Sequence, residues 1–213
     1  MAPLSPGACD GNRQGLALYT RHDGDAGFVQ GFAYLAQFDQ RNIRTLTLGG
    51  LSSSAGSRSE GTSRGLSLEA GKALTGKFSA AVQASADWVE VDAFSETGAT
   101  GFELQFQASD LSRYLIGPDI RYQDEFGTGF SWDAQLGYRY VLNDVDTGMT
   151  AAYAGLPGET FSVPGMPYSD DFLNWSLGLG YQARGAFWYL RGDGQQADNA
   201  RRMTFSAGLR IGF

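Results

Sequence analysis

The stretch MTFSAGLRIGF, residues 203–213, is the clearest guide to the fold of this chain. Its odd-numbered residues are all apolar, whereas its even-numbered residues are Thr, Ser, Gly or Arg. Because successive side chains of a β-strand point to opposite faces, this alternation predicts a strand with one apolar face and one small or polar face.

The same alternation recurs along most of the chain. It is clear in four further segments, at residues 78–88, 113–122, 130–143 and 173–184. It is weaker in four others, at residues 15–21, 28–38, 65–74 and 186–193. The sequence therefore predicts about nine strands. The facing of 15–21 and 186–193 stays open. In 28–38 we expect an apolar face that Gln30 interrupts, made of Phe28, Phe32, Tyr34, Ala36 and Phe38.

The composition supports an all-β chain and excludes several function classes. The 213 residues include 30 Gly, which works against helices. One Cys and one His exclude an internal disulfide and a four-ligand His/Cys metal site. The formal net charge of −7 argues against nucleic-acid binding. We expect no cofactor, since the fingerprint-like glycines Gly178 and Gly180 precede no predicted helix.

The connections between the predicted strands alternate between short and long. Short connections lie near residues 23–26, 75–76, 127–129 and 185. Long, polar connections lie at residues 46–61, 95–110, 144–170 and 194–202. Tight turns at one end and long loops at the other are typical of a transmembrane β-barrel. We therefore predict an antiparallel transmembrane β-barrel of the outer-membrane type, with about 9–10 strands; residues 102–108 are the candidate tenth.

A soluble β-sandwich or a lipocalin-like barrel is the alternative fold. In such a protein the apolar faces would point inward and the polar faces would meet water. Two observations favour the membrane barrel. The polar faces are rich in Gly and Ser, which suits a filled lumen, and aromatic residues recur near strand ends, where interfacial girdles form.

Four segments carry a resemblance to a known family. They are TSRGLSLEAGKAL (62–74), RYLIGPDIRYQDEF (113–126), DFLNWSLGLGYQAR (171–184) and SAGLRIGF (206–213). In this order, and with a terminal Phe213, they resemble the translocator (β) domain of bacterial autotransporters, the type V secretion family. The resemblance begins near Gly15. We therefore expect residues 1–14 to form a disordered stub and residues 15–213 to form the barrel domain.

The resemblance implies a twelve-stranded barrel, integral to the bacterial outer membrane, that anchors and exports an N-terminal passenger. The passenger, a pore helix and the first three or so strands would be absent from this chain. The implied partners are outer-membrane lipid, the barrel assembly machinery and the chain's own passenger polypeptide. The assembly machinery would recognise a C-terminal signal, here Phe205, Leu209, Ile211 and Phe213. A small stand-alone outer-membrane barrel, acting as an adhesin or structural anchor, is the alternative function.

Six charged residues fall on the inferred lumen face: Asp119, Arg121, Asp133, Arg139, Arg184 and Arg210. Either they contact a polypeptide in the pore, or they pair across strands, fill the lumen and fix the register. Five glycines on the same face would let a chain or helix approach closely: Gly137, Gly178, Gly180, Gly208 and Gly212.

Two further features of the sequence are candidate sites. Arg191, Gly192 and Asp193 form an RGD tripeptide that leads into a predicted external loop, where it is a candidate adhesion motif. His22 is the only possible imidazole base, and it lies at a short turn without an arranged partner. We therefore predict no catalytic residue, no metal site and no enzyme activity.

Overall fold

The computed structural model describes residues 9–48, 51–99, 101–156, 158–165, 168–183, 185–198 and 200–211. In these ranges the regular structure consists of thirteen β-strands. They are β1 (Cys9–Gly24), β2 (Gly27–Leu48), β3 (Leu51–Ala73), β4 (Phe78–Val91), β5 (Phe94–Thr97), β6 (Leu104–Phe106), β7 (Ser109–Phe126), β8 (Phe130–Val141), β9 (Met149–Tyr153), β10 (Thr160–Val163), β11 (Asp171–Ala183), β12 (Ala186–Gln196) and β13 (Arg201–Ile211).

Nine strands form one antiparallel sheet in the order β1-β2-β3-β4-β7-β8-β11-β12-β13. They correspond to the nine predicted segments, so the all-β class and these nine strands are confirmed, whereas the four remaining short strands were not predicted. β1 and β13 are the two edges, and no described strand pairs with their outer sides. Within the described ranges no helix is long and apolar enough to span a membrane, a finding that does not bear on spanning by strands.

The two faces of this sheet differ in polarity. On one face, polar side chains meet across an intervening strand: Arg139 of β8 reaches Gln83 of β4, and Tyr34 of β2 reaches Asp87 of β4. Such contacts between second-neighbour strands mark the concave, lumen-facing side. The opposite face exposes large apolar side chains, which include Leu66, Val82, Ile120, Leu136, Leu177, Leu190 and Phe205. The inside and outside assignments predicted for the strands with clear alternation are therefore confirmed.

The facing predicted for β2 is wrong. Its aromatic set points into the lumen, and the outward residues are Val29 and Leu35. The reason lies on β3, where Gly65 faces Tyr34 and Gly61 faces Phe38. Each ring covers the place that a side chain would occupy on its glycine partner. A cross-strand ring over a glycine stabilises the ladder, so here aromatic residues belong to the lumen wall.

Aromatic rings lie in two rows on the outer face. Near the short turns, ring contacts join Phe78, Tyr122, Trp132, Phe126, Phe130 and Tyr181. Near the long loops, they join Trp88 to Tyr114 and Tyr138 to Tyr140. On β4 the rows are about ten residues apart, which is a height of about 25 Å for a strand that rises ~3.3 Å per residue with a tilt of about 40°. This height matches the apolar band of a membrane barrel.

Two connections that were predicted as long loops are mostly strand. β2 and β3 pair as far as Leu48 and Leu51, so the described residues of 46–61 belong to these two strands. From the pair Phe38 and Gly61 outward the two strands protrude as a hairpin, because the pairing of β3 with β4 ends at Gly61. β12 and β13 pair as far as Gln196 and Arg201, which leaves residues 197–200 as the connection. Their polar composition suggested loops. A strand beyond the aromatic rows lies outside the membrane, so both of its faces can be polar.

A second, smaller group of strands lies at the long-loop end and is called the external sheet here. It continues from β3 in the order β5-β6-β9-β10. The candidate tenth strand at 102–108 is thereby corrected, since only β6 forms there and it belongs to this external sheet. A stacked ring pair, Phe94 with Phe106 at 4.6 Å, fills its core. Buried Glu96 of β5 pairs with Arg44 of β2, and this hydrogen bond raises the pKa of Arg44.

The first strand begins earlier than expected. β1 starts at Cys9, inside the segment 1–14 that was expected to be a stub, and its pairing with β2 is continuous from Cys9 opposite Asn42. The barrel sheet therefore begins before Gly15. Residues 1–8 lie outside the described ranges.

Candidate functional site

The lumen-facing surface is the candidate functional site, and its centre is one buried ion pair. Arg139 Nη2 of β8 lies 2.6 Å from Asp119 Oδ2 of β7. Their side chains are 6% and 0% exposed. Gln135 Nε2 donates a hydrogen bond of 3.0 Å to Asp119, and Arg139 also donates to Gln83. Both charges are thus paired and hydrogen-bonded, as buried charges must be.

Arg139 also donates hydrogen bonds where the backbone pairing between β7 and β8 is interrupted. Pro118 of β7 has no N–H, and the ladder between β7 and β8 is interrupted between Ile116 and Asp119. Arg139 Nη1 donates to the carbonyl of Tyr138 at 3.0 Å and to that of Pro118 at 3.2 Å. A guanidinium therefore supplies donors where the backbone cannot, which explains how a central strand tolerates a proline.

A second cluster lies toward the short turns. Arg121 Nη2 of β7 lies 2.5 Å from Glu69 Oε2 of β3, and Gln30 of β2 donates to the same oxygen at 3.0 Å. The Glu69 side chain is 4% exposed. Glu69 Oε1 and Arg121 Nε are buried without a hydrogen-bond partner. This cluster therefore has one acceptor, Glu69 Oε1, and one donor, Arg121 Nε, that no described residue of the lumen wall pairs with.

A third cluster joins three strands around Arg191 of β12. Its guanidinium donates to Ser176 of β11 at 2.9 Å and to Asp193 at 2.9 Å, and it lies 3.4 Å from Asp133 of β8. Ser176, Arg191 and Asp193 border a lumen cavity of about 380 Å³ that Gln83, Gln135, Asn174, Gln195, Arg202 and Thr204 also line. The cavity wall is polar, so it suits water or a polar polypeptide surface.

A fourth cluster lies toward the long loops. Arg113 Nη2 of β7 lies 2.6 Å from Asp87 Oδ2 of β4, and Tyr34 Oη donates to Asp87 at 3.2 Å. Arg13 of β1 donates to Ser63 of β3 at 2.8 Å. In all four clusters the cation is arginine, whose planar group can bridge several oxygens at once.

Glycines make these bridges between second-neighbour strands possible. Gly178 of β11 stands between Asp133 and Arg191, and Gly65 stands between Tyr34 and Asp87. A Cβ at Gly178 would collide with the Asp133 carboxylate. The predicted role of the glycines needs correction, because neighbouring side chains fill the space above Gly137, Gly178, Gly180 and Gly208. Gly212 lies outside the described residues.

The substitution Gly117→Ala tests this close packing. A Cβ at Gly117 would collide with the carbonyl oxygen of Tyr138, a backbone atom that cannot swing aside. We expect a loss of about 1–3 kcal/mol in folding free energy, as for other overpacked sites. Gly56→Ala is the control, since a Cβ there meets nothing within 4 Å. Urea unfolding in detergent micelles measures both, and equal stability of the two variants would contradict the packing argument.

Of the six charged residues predicted to face the lumen, five lie among the described residues, and four of these form ion pairs. Asp119, Arg121, Asp133 and Arg139 all lie on the lumen face in ion pairs. Arg210 lies on the same face, opposite Phe187, and is exposed; it forms no ion pair with any of the described residues. Arg184 lies outside the described residues. Glu69, Asp87 and Arg113 are site residues that the sequence prediction missed, although they lie on predicted polar faces; Arg191 was singled out only as part of the RGD motif.

The RGD tripeptide does not lie in a loop. Arg191, Gly192 and Asp193 are all inside β12, and the two charged side chains bind each other on the lumen face. The adhesion interpretation is therefore corrected, since a loop tip is the geometry it requires. His22 lies near the short turn after β1, exposed on the outer side.

The residues of the predicted C-terminal signal share the outer face of β13. Phe205 is 76% exposed, Leu209 46% and Ile211 54%, and they pair with Gly192, Trp188 and Ala186 of β12. Phe213 lies outside the described residues. The three described members thus form one apolar stripe along an edge strand.

Comparison with known proteins gives two matches. The family model described as the autotransporter beta-domain matches residues 5–195. Among solved structures, the chain is similar to the translocator domain of the autotransporter NalP from Neisseria meningitidis, with a TM-score of 0.76 and 16% identity. That match covers 98% of this chain and 70% of the other, and at this identity it shows the fold alone. No curated protein sequence matches the chain.

Proposed function

Since the chain belongs to the autotransporter β-domain family, we propose that it anchors an N-terminal passenger polypeptide and exports it across the outer membrane. The resemblance found in the sequence is thereby confirmed, and the chain is an integral β-barrel protein of the bacterial outer membrane. The observation that carries the proposal is the family match over residues 5–195.

The lumen wall supports this role through its chemistry. A polypeptide in transit presents backbone and polar side-chain groups, which need hydrogen-bond partners when they leave water. The wall offers such partners in the Arg191 cluster, beside the cavity of about 380 Å³, and in the Glu69 cluster, where Glu69 Oε1 and Arg121 Nε have no partner among the described residues. The central arginines of the four clusters, Arg113, Arg121, Arg139 and Arg191, are paired with carboxylates. A passing chain therefore meets oriented dipoles at these clusters rather than isolated charges that would bind it tightly. We infer that these clusters contact the pore helix or the moving passenger and do not catalyse a reaction.

The outer surface suits lipid and the assembly machinery as partners. The apolar side chains between the two aromatic rows would face lipid acyl chains, and the rings would lie at the two interfaces. We infer that the stripe of Phe205, Leu209 and Ile211, continued to Phe213, is the face that the barrel assembly machinery recognises. A strand presents one face at every second residue, which gives the signal its spacing.

Deletion of Phe213 is expected to reduce insertion strongly. Loss of the terminal aromatic residue would shorten the recognised stripe while leaving the lumen clusters intact. Arg210→Gln is the matched control on the opposite face of β13, and we expect it to insert like the wild type. The amount of heat-modifiable barrel in the outer-membrane fraction measures insertion. Normal insertion of the deletion variant would contradict the signal assignment.

The export proposal is tested with a reporter polypeptide placed ahead of Met1 in the native gene. We expect the reporter to become accessible to protease added outside intact cells. An epitope placed at Gly127, in a short turn, should stay protected, and one at Gly155, beyond β9, should be accessible. A reporter that stays protected while the Gly155 epitope is accessible would overturn export.

The intact mass of the native protein in the outer-membrane fraction separates the two functions considered. A mass well above 22.9 kDa would support a passenger joined to this barrel. A mass near that value would favour a stand-alone anchor.

A further inference from the structure

The external sheet ends in an unpaired edge. β10 (Thr160–Val163) pairs with β9 on one side, and no strand among the described residues pairs with its other side. An edge strand presents free backbone N–H and C=O groups that can pair with another extended chain. The strand itself, TFSV, contains neither a charged residue nor a proline, the usual features that prevent such pairing.

One face of the external sheet is a continuation of the lumen wall. Glu96 of β5 pairs with Ser57 of β3, and its partner Arg44 lies on the lumen side of β2. Two residues before Glu96, Phe94 begins a cross-strand row on the same face. The row consists of Phe94, Phe106, Ala151 and Phe161. The opposite face is polar and contains Ser95, Gln105, Thr150, Thr160 and Ser162.

On the apolar face, exposure is greatest at Tyr153 of β9 and Phe161 of β10, beside the free edge. Ala151 is fully buried and Leu104 is 8% exposed, whereas Phe161 is 37% and Tyr153 42% exposed. The rings of Tyr153 and Phe161 lie 5.4 Å apart. Exposed aromatic surface and free backbone groups therefore occur together at β10, on the face that continues from the lumen.

We propose that β10 binds the emerging passenger as an added β-strand, with alternate apolar side chains of the passenger packed on Tyr153 and Phe161. This inference rests on the proposed export function, because the occupant is the polypeptide that leaves the lumen. Main-chain hydrogen bonds would supply affinity for many sequences, and the two rings would select β-branched or aromatic residues at every second position. Pairing at the exit would hold the first exported segment extended and oppose its return.

A synthetic peptide tests the binding step without export. The probe is a fluorescent peptide of alternating Thr and Val with a Lys at each end; its control has Pro in place of alternate Thr residues. Anisotropy with the purified chain in detergent micelles should show binding of the Thr-Val peptide at least about tenfold tighter than the Pro peptide, which cannot donate to a ladder. The amides of residues 160–163 should gain protection from hydrogen exchange when the peptide binds.

Variants at the edge separate strand addition from general adsorption. Phe161→Ser should weaken binding by about tenfold or more, because it removes a ring from the apolar face. Ser162→Ala, on the opposite face of the same strand, should bind like the wild type, and Phe161→Tyr should retain binding. Equal affinity for the two peptides, or unchanged affinity of Phe161→Ser, would overturn the proposal.

The two proposals can fail separately. If the reporter is exported but the wild-type chain does not distinguish the peptides, strand addition at β10 is overturned and export stands. If the peptide binds but the reporter stays protected, export is overturned, and with it the assignment of a passenger to this edge.

Discussion

Replacement of Asp119 by alanine is expected to lower the folding free energy by about 3–5 kcal/mol, the usual cost of breaking a buried ion pair. The substitution leaves the Arg139 guanidinium, 6% exposed, without its counter-ion. Its remaining acceptors are the Gln83 side chain and the carbonyls of Pro118 and Tyr138, which are all neutral. Urea unfolding in detergent micelles, followed by heat-modifiable mobility, measures the loss.

Two controls define what the Asp119 result means. Asp39→Ala removes one of the two carboxylates that pair with Arg58 on the protruding hairpin, the other being Glu60. The Arg58 and Asp39 side chains are 56% and 35% exposed, so the substitution should cost less than about 1 kcal/mol. The double variant Asp119→Leu with Arg139→Met should recover part of the loss, since it removes both buried charges. The recovery is incomplete because the carbonyls of Pro118 and Tyr138 lose the donors that Arg139 supplies. If Asp119→Ala cost no more than Asp39→Ala, the central pair would not be the structural centre of the wall.

Alternation along single strands predicted most of the fold, because the pattern is local. Residues 203–211 place Phe205 outside and Thr204 inside, as the structure does. The pattern failed for β2, where the rings of Tyr34 and Phe38 turn inward. That failure has a non-local cause, since the rings cover glycines on β3, and pairing register cannot be seen in one strand.

The sequence predicted several residues of the candidate site, but it did not predict which of them pair with one another. Asp119 and Arg139 are separated by 20 positions, and Arg121 and Glu69 by 52. Their contact depends on register and on which strand lies between them, and neither is encoded in alternation. Arg191 is the clearest example of a residue whose position the local pattern did not predict. A familiar tripeptide suggested a loop, whereas β12 continues through it and directs both charges into the lumen.

The external sheet could not be predicted from alternation because its strands are too short. β5, β6, β9 and β10 have three to five residues each, within connections that are polar overall. Their pairing depends on distant partners, such as Glu96 with Arg44, which are 52 positions apart. Long-range anchors of this kind give the connections a structure that composition does not reveal.

Replacement of Leu177 by arginine tests which face meets the membrane. Leu177 lies at the middle of β11, 56% exposed on the outer face, and its cross-strand neighbours Ala134 and Gly192 leave room for a long side chain. The cost should therefore come from placing a charge in lipid, about 2–4 kcal/mol near the midplane of a barrel. Leu177→Ala is the control for lost packing and should cost less.

Asn174→Arg on the same strand is the matched lumen variant. Asn174 is half-buried and borders the cavity of about 380 Å³, close to the carboxylate of Asp193. An arginine there gains a polar environment and an anionic neighbour, so we expect a change within about 1 kcal/mol. The free energies of unfolding in lipid vesicles are compared for Leu177→Arg, Leu177→Ala and Asn174→Arg. Because only one face of β11 can meet lipid, a larger loss for Asn174→Arg than for Leu177→Arg would reverse the inside and outside of the whole sheet.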